Sequence, residues 1–234
     1  MTPSGIETAL IVGAGSGLSA AFARRLAREG VKVVLAARDT GKLATLAAET
    51  DATAIACDGA DPASVDGLFA ETDRRIGTPD LVLYNASFRT RGPLVDLDRE
   101  AVRRTIEVGA FGAFLVAQAA ARRMLERGSG AIFFTGASAS VKGYVNSAPF
   151  AMGKFALRGL AQSMARELAP SNIHVAHFVI DGGIGDDTDP RAAGRGPDAL
   201  LHPDAIADTY WHVLNQHRSA WSWEIELRPW VEKF

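Results

Sequence analysis

Short aliphatic runs alternate along this chain with longer segments whose apolar residues recur at helical spacing. Ala9–Val12, Val31–Ala36, Thr53–Cys57, Leu81–Tyr84, Ala131–Thr135 and Ile173–Ile180 hold few polar residues, the pattern of strands covered on both faces. Between them, Leu18–Glu29, Gly41–Glu49, Pro62–Arg75, Arg99–Arg127 and Ala148–Leu168 predict helices. His202–His217 predicts one more helix and Ser222–Leu227 one more strand. Gly30, Gly77 and Gly128 stand where helix ends favour a residue tolerant of positive φ. Strict alternation with short connections predicts an α/β domain: a doubly wound parallel sheet of about seven strands, right-handed crossovers and helices on both faces. Only Gly182–Gly196 lacks a period; a loop this long after a strand end predicts a mobile substrate loop over residues 182–200.

The chain has 234 residues, the size of one domain spanning 1–234. A net charge of −2 gives no bulk-charge reason to expect a nucleic-acid or membrane partner. The five histidines are scattered, so no metal-ligand spacing is visible, and the single cysteine, Cys57, reads as a small buried hydrophobe. Strand-like sequence begins by about residue 7, which leaves no room for a secretion signal. The longest apolar stretch, Val108 to Ala117, is shorter than the roughly 20 residues a membrane helix needs. A soluble cytoplasmic protein is the expectation.

Candidate chemistry starts after the first strand, at Gly13-Ala14-Gly15-Ser16-Gly17-Leu18. Between a buried strand and an amphipathic helix, such a turn brings backbone N–H groups to a pyrophosphate. The second strand ends Ala36-Ala37-Arg38-Asp39. Arginine there suits a ribose 2′-phosphate, which favours NADP(H) over NAD(H), while Asp39 can still turn toward the ribose. Asp58, followed by Gly59, either meets the adenine amino group or caps the helix that begins near Asp61. Asn85, in Tyr84-Asn85-Ala86-Ser87, either braces the sheet near the cofactor or forms a local Asx turn.

Together these residues resemble the short-chain dehydrogenase/reductase (SDR) family over essentially the whole chain, with the fold of a single Rossmann-type NAD(P)-binding domain. The family's G-x-x-x-G-x-G is met by Gly13 and Gly17, with Ser19 at the last position; its N-N-A-G becomes Tyr84 to Ser87. Its catalytic Y-x-x-x-K becomes Phe150-Ala-Met-Gly-Lys154, with Ser138 at about the spacing of the family's serine. The asparagine of its central helix falls on Gly109, and its P-G becomes Asp181-Gly182, followed by Ile184 where a backbone contact to the nicotinamide amide is expected. The enoyl-reductase spacing of tyrosine and lysine puts Ser147 at the tyrosine position, so it restores no phenol either. The nearest phenol is Tyr144, on the loop before the helix.

The resemblance implies hydride transfer between nicotinamide C4 and a carbon bearing oxygen. Lysine holds the nicotinamide ribose, serine steadies the substrate oxygen and tyrosine moves the proton. Here two members of that relay, tyrosine and asparagine, are replaced. Three functions stay open. The first is an NADP(H)-dependent oxidoreductase acting on a small carbonyl or alcohol substrate, its proton taken from Tyr144, Ser138, Lys154 through water, or the substrate. The second is an NADP(H)-binding sensor without turnover, and the third a non-redox lyase or isomerase. Lining positions in Ser87–Gly92, Tyr144 and Gly182–Gly196 predict a pocket that is not strongly charged. Apolar or small-residue surfaces on Val108–Arg122 and Phe155–Leu168, with the aromatic tail Trp221–Phe234, predict a homodimer or homotetramer.

Overall fold

A computed structural model describes residues 5–232. Seven strands form one sheet: β1 (Thr8–Val12), β2 (Lys32–Ala37), β3 (Thr53–Ala56), β4 (Leu81–Tyr84), β5 (Gly130–Thr135), β6 (Ile173–Ile180) and β7 (Glu224–Leu227). Their spatial order is β3-β2-β1-β4-β5-β6-β7, and every pair is parallel. Helices α1 (Leu18–Arg28), α2 (Ala44–Thr50), α3 (Pro62–Ile76), α4 (Arg99–Ile106), α5 (Gly112–Arg127), α6 (Ala148–Leu168) and α7 (Pro203–Leu214) supply the crossovers. This is the doubly wound Rossmann-type arrangement, in which the strand order reverses between β1 and β4 and opens a crevice at the carboxyl ends.

Side-chain alternation along each strand divides the core in two. On one face Ile11, Leu35, Phe133 and Phe178 pack under α1 and α7, where Phe22 meets Tyr210 edge-on at 5.4 Å. On the other, Leu10, Val34, Val82 and Phe134 pack under α3, α5 and α6. Gly30, Gly77 and Gly128 have φ of 80°, 78° and 77°, so each helix end takes the conformation expected of it. Of the aromatic tail Trp221–Phe234, Phe234 lies outside the described residues.

Five expectations need correction. The third strand is not covered on both faces: β3 sits at the sheet edge beside β2 alone, and its residues are half-buried or exposed. Gly41–Glu49 is not one helix but a tight turn, Gly41–Leu43, leading into α2. Arg99–Arg127 is interrupted by a π-helical turn at Glu107–Phe111. There Gly109 is buried against α6: a Cβ on it would lie 3.5 Å from Gly153 Cα, and Tyr84 donates its hydroxyl proton to the Val108 carbonyl at 2.5 Å. The late helix begins at Pro203 because His202 is its cap, accepting from the Asp204 N–H at 3.3 Å. The aperiodic segment, finally, holds a short turn at Pro190–Ala192 and a parallel bridge between Ile184 and Leu201.

Candidate functional site

Val12 ends β1, and Gly13 turns the chain at φ 82°, a conformation open to glycine and costly for other residues. Its N–H and that of Ala14 both donate to the Ala36 carbonyl, at 2.9 and 3.0 Å. Its own carbonyl accepts from Ser19 Oγ at 3.2 Å and Asn85 Nδ2 at 3.3 Å. Asn85 Nδ2 also donates to Ser19 Oγ at 2.7 Å, so the asparagine braces the end of β4 to the glycine turn and makes no Asx turn. Serine at position 19 thus serves as the hub of this brace, and Leu18 beside it is buried in the core.

Gly15 and Gly17 face open space, and α1 starts at Gly17 with neither a capping side chain nor an acidic residue in its first turn. Its first N–H groups and the positive end of its dipole are therefore free to meet an anion. They open on a cavity of about 650 Å³ lined by Gly13, Gly15 and Ser16, with Arg38 and Lys42 at one end and Ala86, Ser87 and Val108 at the other. Asp39 lines it too, yet its carboxylate accepts from the Gly41 N–H at 3.0 Å and pairs with Lys42 at 3.5 Å. Arg38 forms no ion pair or side-chain hydrogen bond among the described residues, though its charge helps hold the nearby Asp58 carboxyl low. Gly59 and Asp58 line the floor. Asp58 does not cap α3; Asp61 does, accepting from the Ser64 N–H at 3.1 Å. Burial pushes the Asp58 carboxyl up, but the Arg104 guanidinium at 2.6 Å and the Ala60 N–H outweigh it and hold the group below the usual carboxylate range. A groove with open glycine backbone and an uncapped helix start fits the pyrophosphate of a dinucleotide.

A second cavity of about 500 Å³ joins the first, since Asn85 and Ser87 line both. Lys154 and Phe150 enter it from one face of α6, at i+4 and i. The Lys154 ammonium donates to the Thr135 carbonyl at 2.7 Å and lies 5.7 Å from the centre of the Phe150 ring. Burial pushes Lys154 down to about 8. Ser138 and Tyr144 complete this wall. Two other hydroxyls nearby are committed elsewhere: Thr135 Oγ1 bonds the Tyr210 hydroxyl at 3.1 Å, and Ser140 Oγ accepts from the Ala137 N–H at 3.1 Å. Beneath the wall, His177 is fully buried with Nδ1 3.1 Å from Glu224, which also takes a two-pronged contact from Arg158 at 2.6 and 2.8 Å. Burial outweighs the Glu224 carboxylate and pushes His177 down to about 4, so a neutral ring packs under the lysine.

At the mouth, Gly182 cannot carry a side chain, because a Cβ would lie 2.7 Å from Pro229. Asp181 is buried and binds both Lys142 and Arg228 at 3.2 Å, which ties the Tyr144 loop to the tail. Ile184 lines the cleft; its carbonyl accepts from Arg191 at 2.7 Å and its N–H is open to the amide contact implied by the resemblance. The cleft is also more charged than its sequence segments suggest, because Arg89 and Arg91 both line it and Arg89 lies over the Phe150 ring at 4.8 Å. The predicted lining segment Ser87–Gly92 contains both arginines, but their charge has no weight in the sequence reading, and Lys42 and Arg104 have no place in it. Arg89-Thr-Arg91, directly after the fourth strand's turn, was the visible signal.

Comparison with known proteins places this geometry. A family profile described as short chain dehydrogenase matches residues 7–193. A 3-oxoacyl-[acyl-carrier-protein] reductase, MabA, from Mycobacterium tuberculosis is 32% identical over 187 residues, covering 80% of this chain and 72% of that protein. Carbonyl reductase [NADPH] 2 from Sus scrofa is 34% identical over 180 residues, covering 75% of this chain and 70% of that protein. The crystal structure of a short-chain dehydrogenase from Rhodopseudomonas palustris superposes with a TM-score of 0.83 at 34% identity, covering 96% of this chain and 99% of that one.

Proposed function

The chain belongs to the short-chain dehydrogenase family of oxidoreductases, and on that premise we propose that it interconverts a carbonyl and an alcohol with NADP(H), by a proton path that uses no phenol at position 150. One observation carries the reading: the nucleotide-shaped groove runs into a cleft where a buried lysine and an uncommitted serine share a wall. The bound cofactor supplies or accepts the hydride at the carbon bearing oxygen, and in reduction that oxygen gains a proton. The glycine turn and the start of α1 hold the pyrophosphate. Lys154 orients the nicotinamide ribose from its seat on Thr135, and Ser138 hydrogen-bonds the substrate oxygen. Tyr144 donates the proton, with the Lys142 ammonium 5.8 Å from its ring centre. Asp181, first, and the Tyr144 contact keep that ammonium protonated above the ordinary lysine range. The segment 182–200 closes over this cleft as a mobile lid; equal proteolysis of it with and without NADP⁺ would remove that role.

The preference for the phosphorylated cofactor rests on Arg38 forming no ion pair among the described residues while Asp39 is engaged by Gly41 and Lys42. A charge-assisted contact contributes about 1.5–3 kcal/mol, so NADPH is expected to bind roughly ten- to hundredfold more tightly than NADH. Arg38→Ala should erase most of that margin. Equal affinities for the two cofactors in a fluorescence titration of the wild type would end the assignment.

Phe111, Phe114, Met152 and Phe155 are exposed on neighbouring helices, with the rings of Phe111 and Phe114 stacked at 6.3 Å. This face supports a homodimer, or a tetramer built from it. A monomer's mass in sedimentation at micromolar concentration would contradict it.

A further inference from the structure

Five charged side chains line the substrate cleft: Arg89, Arg91, Lys154, Asp181 and Glu232. The two carboxylates are satisfied from outside it, Asp181 by Lys142 and Arg228 and Glu232 by Arg195, each at 3.2 Å. Lys154 donates to the Thr135 carbonyl and is the lysine assigned above to the nicotinamide ribose. Arg89 and Arg91 have no carboxylate partner among the described residues. Arg89 is also held in place, its guanidinium over the Phe150 ring at 4.8 Å from the ring centre. The next residue along, Gly92, donates its N–H to the Asn146 carbonyl at 3.1 Å, which fastens the arginine loop to the loop that carries Tyr144. Two guanidiniums two residues apart repel each other, and burial, then Arg91, weakens the hold of Arg89 on its proton. An anion between them relieves that repulsion.

We infer that the substrate is an oxo acid or hydroxy acid whose carboxylate is received by Arg89 and Arg91. The planar forks of two guanidiniums match the two oxygens of a carboxylate. Arg89 and Lys154 both lie against the Phe150 ring, at 4.8 and 5.7 Å from its centre. The acid group and the reacting centre therefore share the wall that this ring forms. The inference rests on the cleft being the substrate site, and it names what that site selects.

The test compares reduction by NADPH of 4-carboxybenzaldehyde and of its neutral counterpart, methyl 4-formylbenzoate. Wild type is expected to favour the acid in kcat/KM by roughly tenfold or more, the usual weight of a charge-assisted contact. The ratio should fall toward one in the double variant Arg89→Gln/Arg91→Gln. An ester reduced as well as the acid, or a ratio that survives in the double variant, overturns the inference. If neither aldehyde turns over, calorimetric titration of 4-carboxybenzaldehyde into NADP⁺-saturated protein separates the two ideas. Binding lost in the double variant keeps the carboxylate site while the oxidoreductase reading fails; no binding to wild type overturns the carboxylate site itself.

Discussion

Phe150→Tyr raises carbonyl-reductase turnover by about 10²–10⁴, the usual contribution of a positioned general acid. The ring it replaces lines the cleft with Ser138 and Lys154, and α6 holds Phe150 and Lys154 on one face. A hydroxyl added there enters a ready-made cationic setting, with the Lys154 ammonium 5.7 Å and the Arg89 guanidinium 4.8 Å from the ring centre. Positive neighbours lower a phenol's pKa and so ease its proton transfer near neutral pH. Steady-state NADPH oxidation across a panel of aldehydes and ketones reads the effect, and no gain on any of them would mean that the cleft is not arranged for this chemistry. The same variant tests the proton path assigned to Tyr144. Tyr144→Phe should cost wild type most of its turnover and cost the Phe150→Tyr protein little, because the second phenol bypasses the first. Equal losses in both backgrounds would place Tyr144 in structure rather than in proton transfer.

The second large effect separates fold from cofactor binding within one turn. Gly13→Ala should lose both. A Cβ at position 13 would fall on the backbone nitrogen of Ala86, and φ of 82° is left-handed. Left-handed strain and forced overpacking each cost about 1–3 kcal/mol. At 2–4 °C per kcal/mol for a chain of this size, Tm should fall by on the order of 10 °C. Gly15→Ala is the contrast, since a Cβ there meets nothing within 4 Å. It should leave Tm nearly unchanged and still weaken NADPH, because its methyl group projects from the backbone that lines the groove. Thermal melts and cofactor titrations on the pair decide it. An unchanged melting temperature for Gly13→Ala would show that the turn is not packed against Ala86.

Parallel strands buried on both faces write themselves as continuous aliphatic runs, which is why β4 and β6 could be bounded residue for residue before any coordinates. Where the sequence misled, a neighbour decided. β3 has the composition of a buried strand but lies at an edge, and edge position is a property of the sheet rather than of Thr53–Ala56. The π-helical turn at Glu107–Phe111 has no local signature. It depends on Gly109 finding Gly153 across the helix pair and on Tyr84 finding the Val108 carbonyl. The candidate site divides in the same way. Gly13 to Leu18 and Phe150/Lys154 are spaced along single elements, so their grouping could be read from spacing. Which of Thr135, Ser138 and Ser140 stays uncommitted could not, since it turns on Tyr210 taking Thr135 and on the Ala137 N–H taking Ser140. The charge of the cleft was missed for a related reason. Arg89 and Arg91 look like solvated surface residues until the partners of Asp181 and Glu232 are counted.

Isotope transfer asks the central question most directly. NADPH carrying deuterium at both C4 positions of the nicotinamide is incubated with wild-type protein and a panel of carbonyl compounds that includes 4-carboxybenzaldehyde, and the products are weighed by mass spectrometry. Hydride transfer in the Lys154–Ser138 cleft predicts an alcohol with one deuterium on its carbinol carbon. Tight NADPH binding with no label in any product, or a product formed without label, would contradict it.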